Sequence, residues 1–194
     1  LKKIAKDLNF EKIAKKVFGK DVALEMIDSY YSEKSNKKII DWHCDIADAS
    51  SNPSINYDVN RSAIKFFIYM SDVQSGNGCL AYIPYSHHVV KAVYQLIYEK
   101  KISYEPFWKL EDLRFLISKN QTKNLIIDII GKDKLNLFLK NSKFINEKDK
   151  DTSKFDFEMN KGSAVIFDEF GIHRGSMPSK NSRLVLRFFY RKKN

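Results

Sequence analysis

Apolar residues recur at helical spacing through the first stretch of the chain. Ile4, Leu8, Phe10, Ile13, Ala14, Val17 and Phe18 predict a helix over residues 1–18, with Gly19 as its stop. The period then shortens. Val22 to Tyr31 reads as a strand, although Leu24, Met26 and Ile27 do not alternate cleanly. Ser32 to Lys37 is a polar turn, and Ile39 to Asp45 is a short strand. Asp48 to Arg61, rich in Ser, Asn and Pro, predicts a surface loop. Ala63 to Met70 is the clearest strand: Ile64, Phe66, Ile68 and Met70 fall on one face, and Lys65, Phe67 and Tyr69 on the other. Ser75-Gly76-Asn77-Gly78 predicts a hairpin turn, because Asn-Gly tolerates positive φ, and Cys79 to Pro84 is then the return strand.

From His88 to Ile145 the pattern is helical again, with Val90, Val93, Leu96 and Ile97, then Leu110, Leu113, Leu116 and Ile117, then Leu125, Ile126, Ile129 and Ile130. Phe107-Trp108 predicts an anchored turn, and Asn146 to Lys154 a charged linker. Three strand-like runs close the chain: Ser163 to Asp168, Arg174 to Met177 and Leu184 to Tyr190. Short strands joined by tight turns, interrupted by one helical block, favour an antiparallel barrel or jelly roll over a parallel α/β sheet. No internal repeat is visible.

The 194 residues fit one domain. No apolar run approaches the roughly 20 residues of a membrane helix, and the charged opening, Leu1-Lys2-Lys3-Ile4, is not a signal peptide. The net charge of +10 raises the possibility of nucleic acid, but only 6 of the 34 basic residues are Arg. The Lys are scattered among Ile and Asn, and no basic stripe appears beyond Arg191-Lys192-Lys193. The charge suits the steering of a small anionic substrate better. Cys44 and Cys79 do not make a disulfide framework, so a reducing cytoplasm is the expectation.

The chemistry concentrates at strand ends. His43 and Asp45 are two apart, so on a strand both side chains point the same way, about 7 Å apart, while Cys44 points away. A lone H-x-D is a weak signal, and ordinary polar residues at strand ends are the alternative. Here, however, both histidines outside the turn pair His87-His88 follow apolar runs: His43 and, far downstream, His173. Two histidines and one carboxylate hold one face of a non-haem Fe(II) and leave the other open. Arg183 opens the last strand and shares a face with Val185 and Arg187. A guanidinium aimed into a barrel needs a carboxylate or phosphate partner. A dicarboxylate co-substrate meets that need, and the alternative is an ion pair with Asp168 or Glu169.

These residues lie within longer motifs: Trp42-His43-Cys44-Asp45; Lys65 to Val73 with Gly76-Asn77-Gly78-Cys79-Leu80; Ile83-Pro84-Tyr85-Ser86-His87; Lys161 to Asp168; Gly171-Ile172-His173-Arg174-Gly175; and Asn181 to Tyr190. In this order they resemble the phytanoyl-CoA dioxygenase family of Fe(II)- and 2-oxoglutarate-dependent oxygenases. The likeness covers residues 39–88 and 158–190 and hardly touches the helical block.

The resemblance implies a fold that is mainly β with helical additions: a double-stranded β-helix (jelly roll, cupin-like) with an N-terminal helix and a helical insertion over about residues 88–145, all in one oxygenase domain spanning 1–194. It implies iron held by His43, Asp45 and His173, with 2-oxoglutarate anchored by Arg183 and flanked by Phe67. Lys65, on the face of Phe67, joins it among the co-substrate contacts. Fe(II), 2-oxoglutarate and O₂ are the implied cofactors, with succinate and CO₂ released as a small metabolite is hydroxylated. The related halogenases lack the carboxylate, so Asp45 points to hydroxylation or another oxidation. Family members carry more chain before the first ligand, which leaves a truncated N-terminus open.

Lys65, Arg174 and Arg187 suggest a basic cavity and an anionic substrate, with ion pairs to Asp168, Glu169 or Asp72 as the alternative. Asn56, Tyr57, Asn60, Tyr69, Arg174 and Arg187 are the candidate substrate contacts. The insertion is expected to cap the site, and Ser86-His87 to be structural. The partner is a small molecule, with neither nucleic acid nor membrane, and the oligomeric state is open. The competing function is a non-catalytic, cupin-like ligand-binding module.

Overall fold

The computed structural model describes residues 1–36, 40–45, 63–143, 145 and 153–193. The expected loop over Asp48–Arg61, with Asn56, Tyr57 and Asn60, and most of the linker over Asn146–Lys154 lie outside the described residues.

The chain opens on two helices where the apolar spacing predicted one: α1 (Lys2–Asp7) and α2 (Phe10–Phe18). Asn9 separates them at φ 57°, in the left-handed region that Asn enters more readily than most side chains. Gly19 ends α2 as expected, at φ 62°. The buried Phe10 of α2 stacks on Phe66 at 4.3 Å and meets Phe188 edge-on at 5.3 Å.

The described strands are β1 (Val22–Ser32), β2 (Ala63–Tyr69), β3 (Leu80–Tyr82), β4 (Asp156–Phe157), β5 (Ala164–Asp168), β6 (His173–Gly175) and β7 (Arg183–Lys192). They form two antiparallel sheets, ordered β1-β7-β2-β5 and β4-β3-β6. On β2 the predicted alternation holds: Ile64, Phe66 and Ile68 pack with α2, while Lys65, Phe67 and Tyr69 lie on the other face. β1 did not alternate cleanly because its register shifts between Leu24 and Met26, a bulge that lets Leu24 and Ile27 share the α2 side.

The turn after β2 centres on Ser75-Gly76, one pair earlier than the Asn-Gly pattern suggested. The Asn77 N–H donates to the Gln74 carbonyl at 2.8 Å, and positive φ falls on Gly76 and Gly78. Asn77 instead uses its side-chain oxygen, which accepts from the backbone N–H groups of Lys180 and Asn181 at 3.0 and 3.1 Å. β3, the expected return strand, does not pair back onto β2. It crosses into the smaller sheet between β4 and β6. Two facing antiparallel sheets joined by such crossings make the fold a jelly roll.

The helical stretch contains α3 (Ser86–Tyr98), α4 (Leu110–Ser118), α5 (Asn120–Ile130) and α6 (Lys132–Lys143). Val93, Leu96, Leu113, Ile126 and Phe138 share one buried cluster with Trp42, Cys44, Ala81 and Ile172. Among the described residues no helix is long and apolar enough to cross a membrane.

Candidate metal centre

The segment carrying His43 is short and held from two sides. His43 and His173 exchange backbone hydrogen bonds at 3.0 and 2.8 Å, a directly opposed antiparallel pair that extends the smaller sheet beyond β6. On the other edge the Cys44 N–H donates to the Trp108 carbonyl at 2.8 Å and the Leu110 N–H to the Trp42 carbonyl at 3.1 Å. The entry to α4 therefore clamps this segment. Cys44 and Trp42 alternate away from His43 into the helical cluster, so the thiol points away from the histidine, as strand geometry predicted.

Opposed pairing places the two imidazoles side by side, with ring centroids 4.7 Å apart. Each ring is tied by Nδ1 to the carbonyl two residues earlier: His43 to Asp41 at 2.7 Å and His173 to Gly171 at 2.8 Å. Carbonyls only accept, so Nδ1 is the donor in both contacts, and Nε2 is the atom each ring presents to the site. Both Nε2 atoms face Asp45. His43 Nε2 lies 3.5 Å from Oδ1 and His173 Nε2 lies 3.2 Å from Oδ2. The three ligand atoms fall within 4.8 Å of one another. Burial opposes ionisation of Asp45, but His173, His43 and Lys65 outweigh it and hold the carboxyl well below the usual carboxylate range. Two imidazole Nε2 atoms and a carboxylate on one side of a point form a donor set suited to Fe(II), with further positions open.

Arg183 answers the question its sequence posed. Neither expected ion pair forms: Asp168 takes Lys91 at 2.7 Å, and among the described residues no carboxylate reaches Arg183. Its Nη1 donates to the Gly78 carbonyl at 2.6 Å and its Nη2 to the Ser32 hydroxyl at 3.3 Å, while the buried Nε has no partner. Burial pushes the guanidinium below its usual value. The side chain threads between two glycines. A Cβ at Gly78 would lie 3.1 Å from Arg183 Cδ, and one at Gly175 would lie 3.3 Å from Nη1. Gly175 is two residues beyond His173 on β6, so the guanidinium lies about one dipeptide step, ~7 Å, along the site from the imidazoles.

The other expected residues divide. Phe67 faces inward, edge-on to Phe167 at 4.9 Å, and Phe167 lies 5.1 Å from the His173 ring. Tyr69 is fully buried. Its oxygen accepts from the Leu80 N–H at 3.0 Å, and burial pushes its hydroxyl up to about 12, so it keeps a proton to donate. Lys65 is buried but pairs with Asp45, not with the acids expected for it. Arg187 is engaged by Asp28 on the neighbouring β1, Nε to Oδ1 at 2.8 Å. Arg174 alternates away from His173 and stacks on Trp42 at 4.8 Å, on the helical side of the sheet. The helices likewise back the smaller sheet on the face opposite the metal cluster. The expected cap is a buttress.

Three features escaped the sequence reading. Tyr30 faces inward 6.3 Å from Phe67, under the Arg187 guanidinium at 4.7 Å. The alternation of Asp28, Tyr30 and Ser32 carried that signal, but the bulge upstream obscured it. Tyr82 packs against Gly171, and Ser86 bonds the same turn. Ser86 lay in a motif read as structural, and nothing in the sequence marked Tyr82.

The profile of the phytanoyl-CoA dioxygenase family matches residues 2–184. No curated protein matches the chain. Among solved structures, HygX from Streptomyces hygroscopicus with nickel and 2-oxoglutarate bound is similar at 14% identity and TM-score 0.54, covering 98% of this chain and 66% of that one. AviO1 from Streptomyces viridochromogenes Tue57 is similar at 13% identity and TM-score 0.52, covering 94% of this chain and 57% of that one. SnoN, a non-heme alpha-ketoglutarate-dependent epimerase from nogalamycin biosynthesis, is similar at 12% identity and TM-score 0.52, covering 98% and 57%. At such identities the likeness is one of fold, and the chain spans little more than half the length of AviO1 and SnoN.

Proposed function

Since the chain belongs to the phytanoyl-CoA dioxygenase family, we propose that it is a non-haem Fe(II)- and 2-oxoglutarate-dependent oxygenase that hydroxylates a small metabolite. The observation that carries the reading is the convergence of His43 Nε2, His173 Nε2 and the Asp45 carboxylate, with both Nδ1 atoms already committed. These three residues would hold Fe(II). Arg183, a half-buried cation with a buried, unused Nε donor and no carboxylate among the described residues, would take the distal carboxylate of 2-oxoglutarate. Tyr69 would donate beside it. When bound, Fe(II) and 2-oxoglutarate supply the oxidising power from O₂, with succinate and CO₂ as co-products.

The chain's own part is placement. The carbonyls of Asp41 and Gly171 fix the two rings, Phe67 and Phe167 line the wall beside them with apolar surface, and Lys65 holds Asp45 ionised and pointed inward. The three basic residues that suggested an anionic substrate are each engaged: Lys65 by Asp45, Arg187 by Asp28 and Arg174 by Trp42. Tyr30 and Met26, inward on β1 and partly exposed, offer the substrate a neutral wall instead.

Succinate formation from 2-oxoglutarate, measured under air with added Fe(II) and without substrate, tests the reading. The wild-type chain gives slow turnover and Asp45→Ala gives background. Equal rates in the two would overturn the assignment. Metal and ligand binding with no succinate from the wild type would make the protein the non-catalytic jelly-roll module instead.

A further inference from the structure

The orientation of His173 depends on one peptide. Its Nδ1 is bonded to the Gly171 carbonyl, so the position of Gly171 sets the angle of the ring. Two side chains outside the metal-ligand set determine that position. Tyr82 is the ladder partner of His173. Its phenol lies so close to Gly171 that a Cβ there would come within 1.9 Å of the hydroxyl oxygen and 2.0 Å of Cζ. Backbone and ring are thus in contact across the only space a side chain would fill. The Tyr82 hydroxyl is held in turn by His87 Nδ1 at 3.3 Å.

Ser86 acts on the next residue. Its fully buried hydroxyl donates to the Ile83 carbonyl at 2.7 Å and accepts from the Ile172 N–H at 2.7 Å. The Ile172 carbonyl accepts from the Ile83 N–H at 2.9 Å. Both polar groups of Ile172 are therefore tied to residues 83–86. The peptide between Gly171 and His173 is fixed from above by a ring and from the side by a hydroxyl.

We infer that Tyr82 and Ser86 are positioning residues for the metal-binding face of His173, acting through the Gly171 carbonyl. The inference rests on the metal-site reading above. It assigns the Ile83-Pro84-Tyr85-Ser86-His87 turn a task in the site, beyond starting α3.

Anaerobic titration with Co(II), followed by its visible d–d absorption, tests this, with circular dichroism to confirm folding. The absorption reports ligand geometry and needs no turnover. Ser86→Ala and Tyr82→Phe are expected to stay folded, to weaken Co(II) binding about 10- to 100-fold, as loss of partners that orient metal ligands does elsewhere, and to alter the shape of the spectrum. Gly171→Ala is expected to do more, and Gly171→Ala with Tyr82→Leu to recover part of the loss, because the leucine vacates the space the new methyl needs. Folded Ser86→Ala and Tyr82→Phe with wild-type affinity and spectrum would overturn the inference and leave the metal site intact. A wild-type chain that gives no Co(II) spectrum would overturn the metal-site reading itself, and this inference with it.

Discussion

Two backbone carbonyls decide how the histidines of this chain present themselves. Because Asp41 and Gly171 each take an Nδ1 proton, both imidazoles offer Nε2 to the same point. At the other end of the site Arg183 is a half-buried cation whose buried Nε is a donor to spare. Replacing it should remove charge-assisted hydrogen bonds worth about 1.5–3 kcal/mol. Arg183→Ala is therefore expected to raise the 2-oxoglutarate concentration for half-maximal succinate formation about 10- to 100-fold while changing Fe(II) affinity little. An unchanged co-substrate requirement would move the anchor elsewhere.

His87 gives a pH prediction. Burial and the neighbouring His88 lower its pKa to about 4 from the ordinary 6.5. The folded chain keeps this ring neutral, so its contribution to stability is present above pH 6.5 and is lost as pH falls toward 4. Urea unfolding of wild type and His87→Gln should therefore differ in pH slope across that window, by about 2 kcal/mol after allowance for partial exposure. Parallel pH profiles would contradict it.

Residue by residue, the approach of Asp45 to His43 was legible because a two-residue spacing on a strand dictates a shared face. Arg174 was misjudged against the same rule, since adjacent strand residues point apart. Arg187 and Lys65 were on the right face, but their partners Asp28 and Asp45 come from segments that only folding brings near.

Among the elements, local periodicity found β2, β5, β7 and the helical block, and it missed whatever depended on a crossing. β3 follows a tight turn, yet pairs in the other sheet. The helices read as an insertion able to cap the site, and they pack behind it because their apolar faces match Trp42, Cys44 and Ile172. α2 does the corresponding work on the larger sheet. Phe10, 4% exposed, is its main anchor there, between Phe66 and Phe188. Phe10→Ala should cost about 3–4 kcal/mol in chemical denaturation. Co(II) affinity should hold, because the contact lies on the face of the sheet opposite the site. A loss of metal binding in the folded variant would show that the two faces are coupled.

At the scale of the molecule, each sheet has helices on its outer face and the chemistry between the two. That division frees the inner surface to hold groups a core would not tolerate: two imidazoles, an acid, a lysine and a guanidinium with no carboxylate partner among the described residues. Such a site is destabilising until filled, so Fe(II) and 2-oxoglutarate together should raise the unfolding temperature more than either alone.

The most direct test of the account is an anaerobic titration of Fe(II) into the chain with 2-oxoglutarate, watched in the visible. A weak charge-transfer band that saturates at one Fe(II) per chain, and is lost in Asp45→Ala, is the predicted result. No band from the wild type, or an undiminished band in Asp45→Ala, would contradict it.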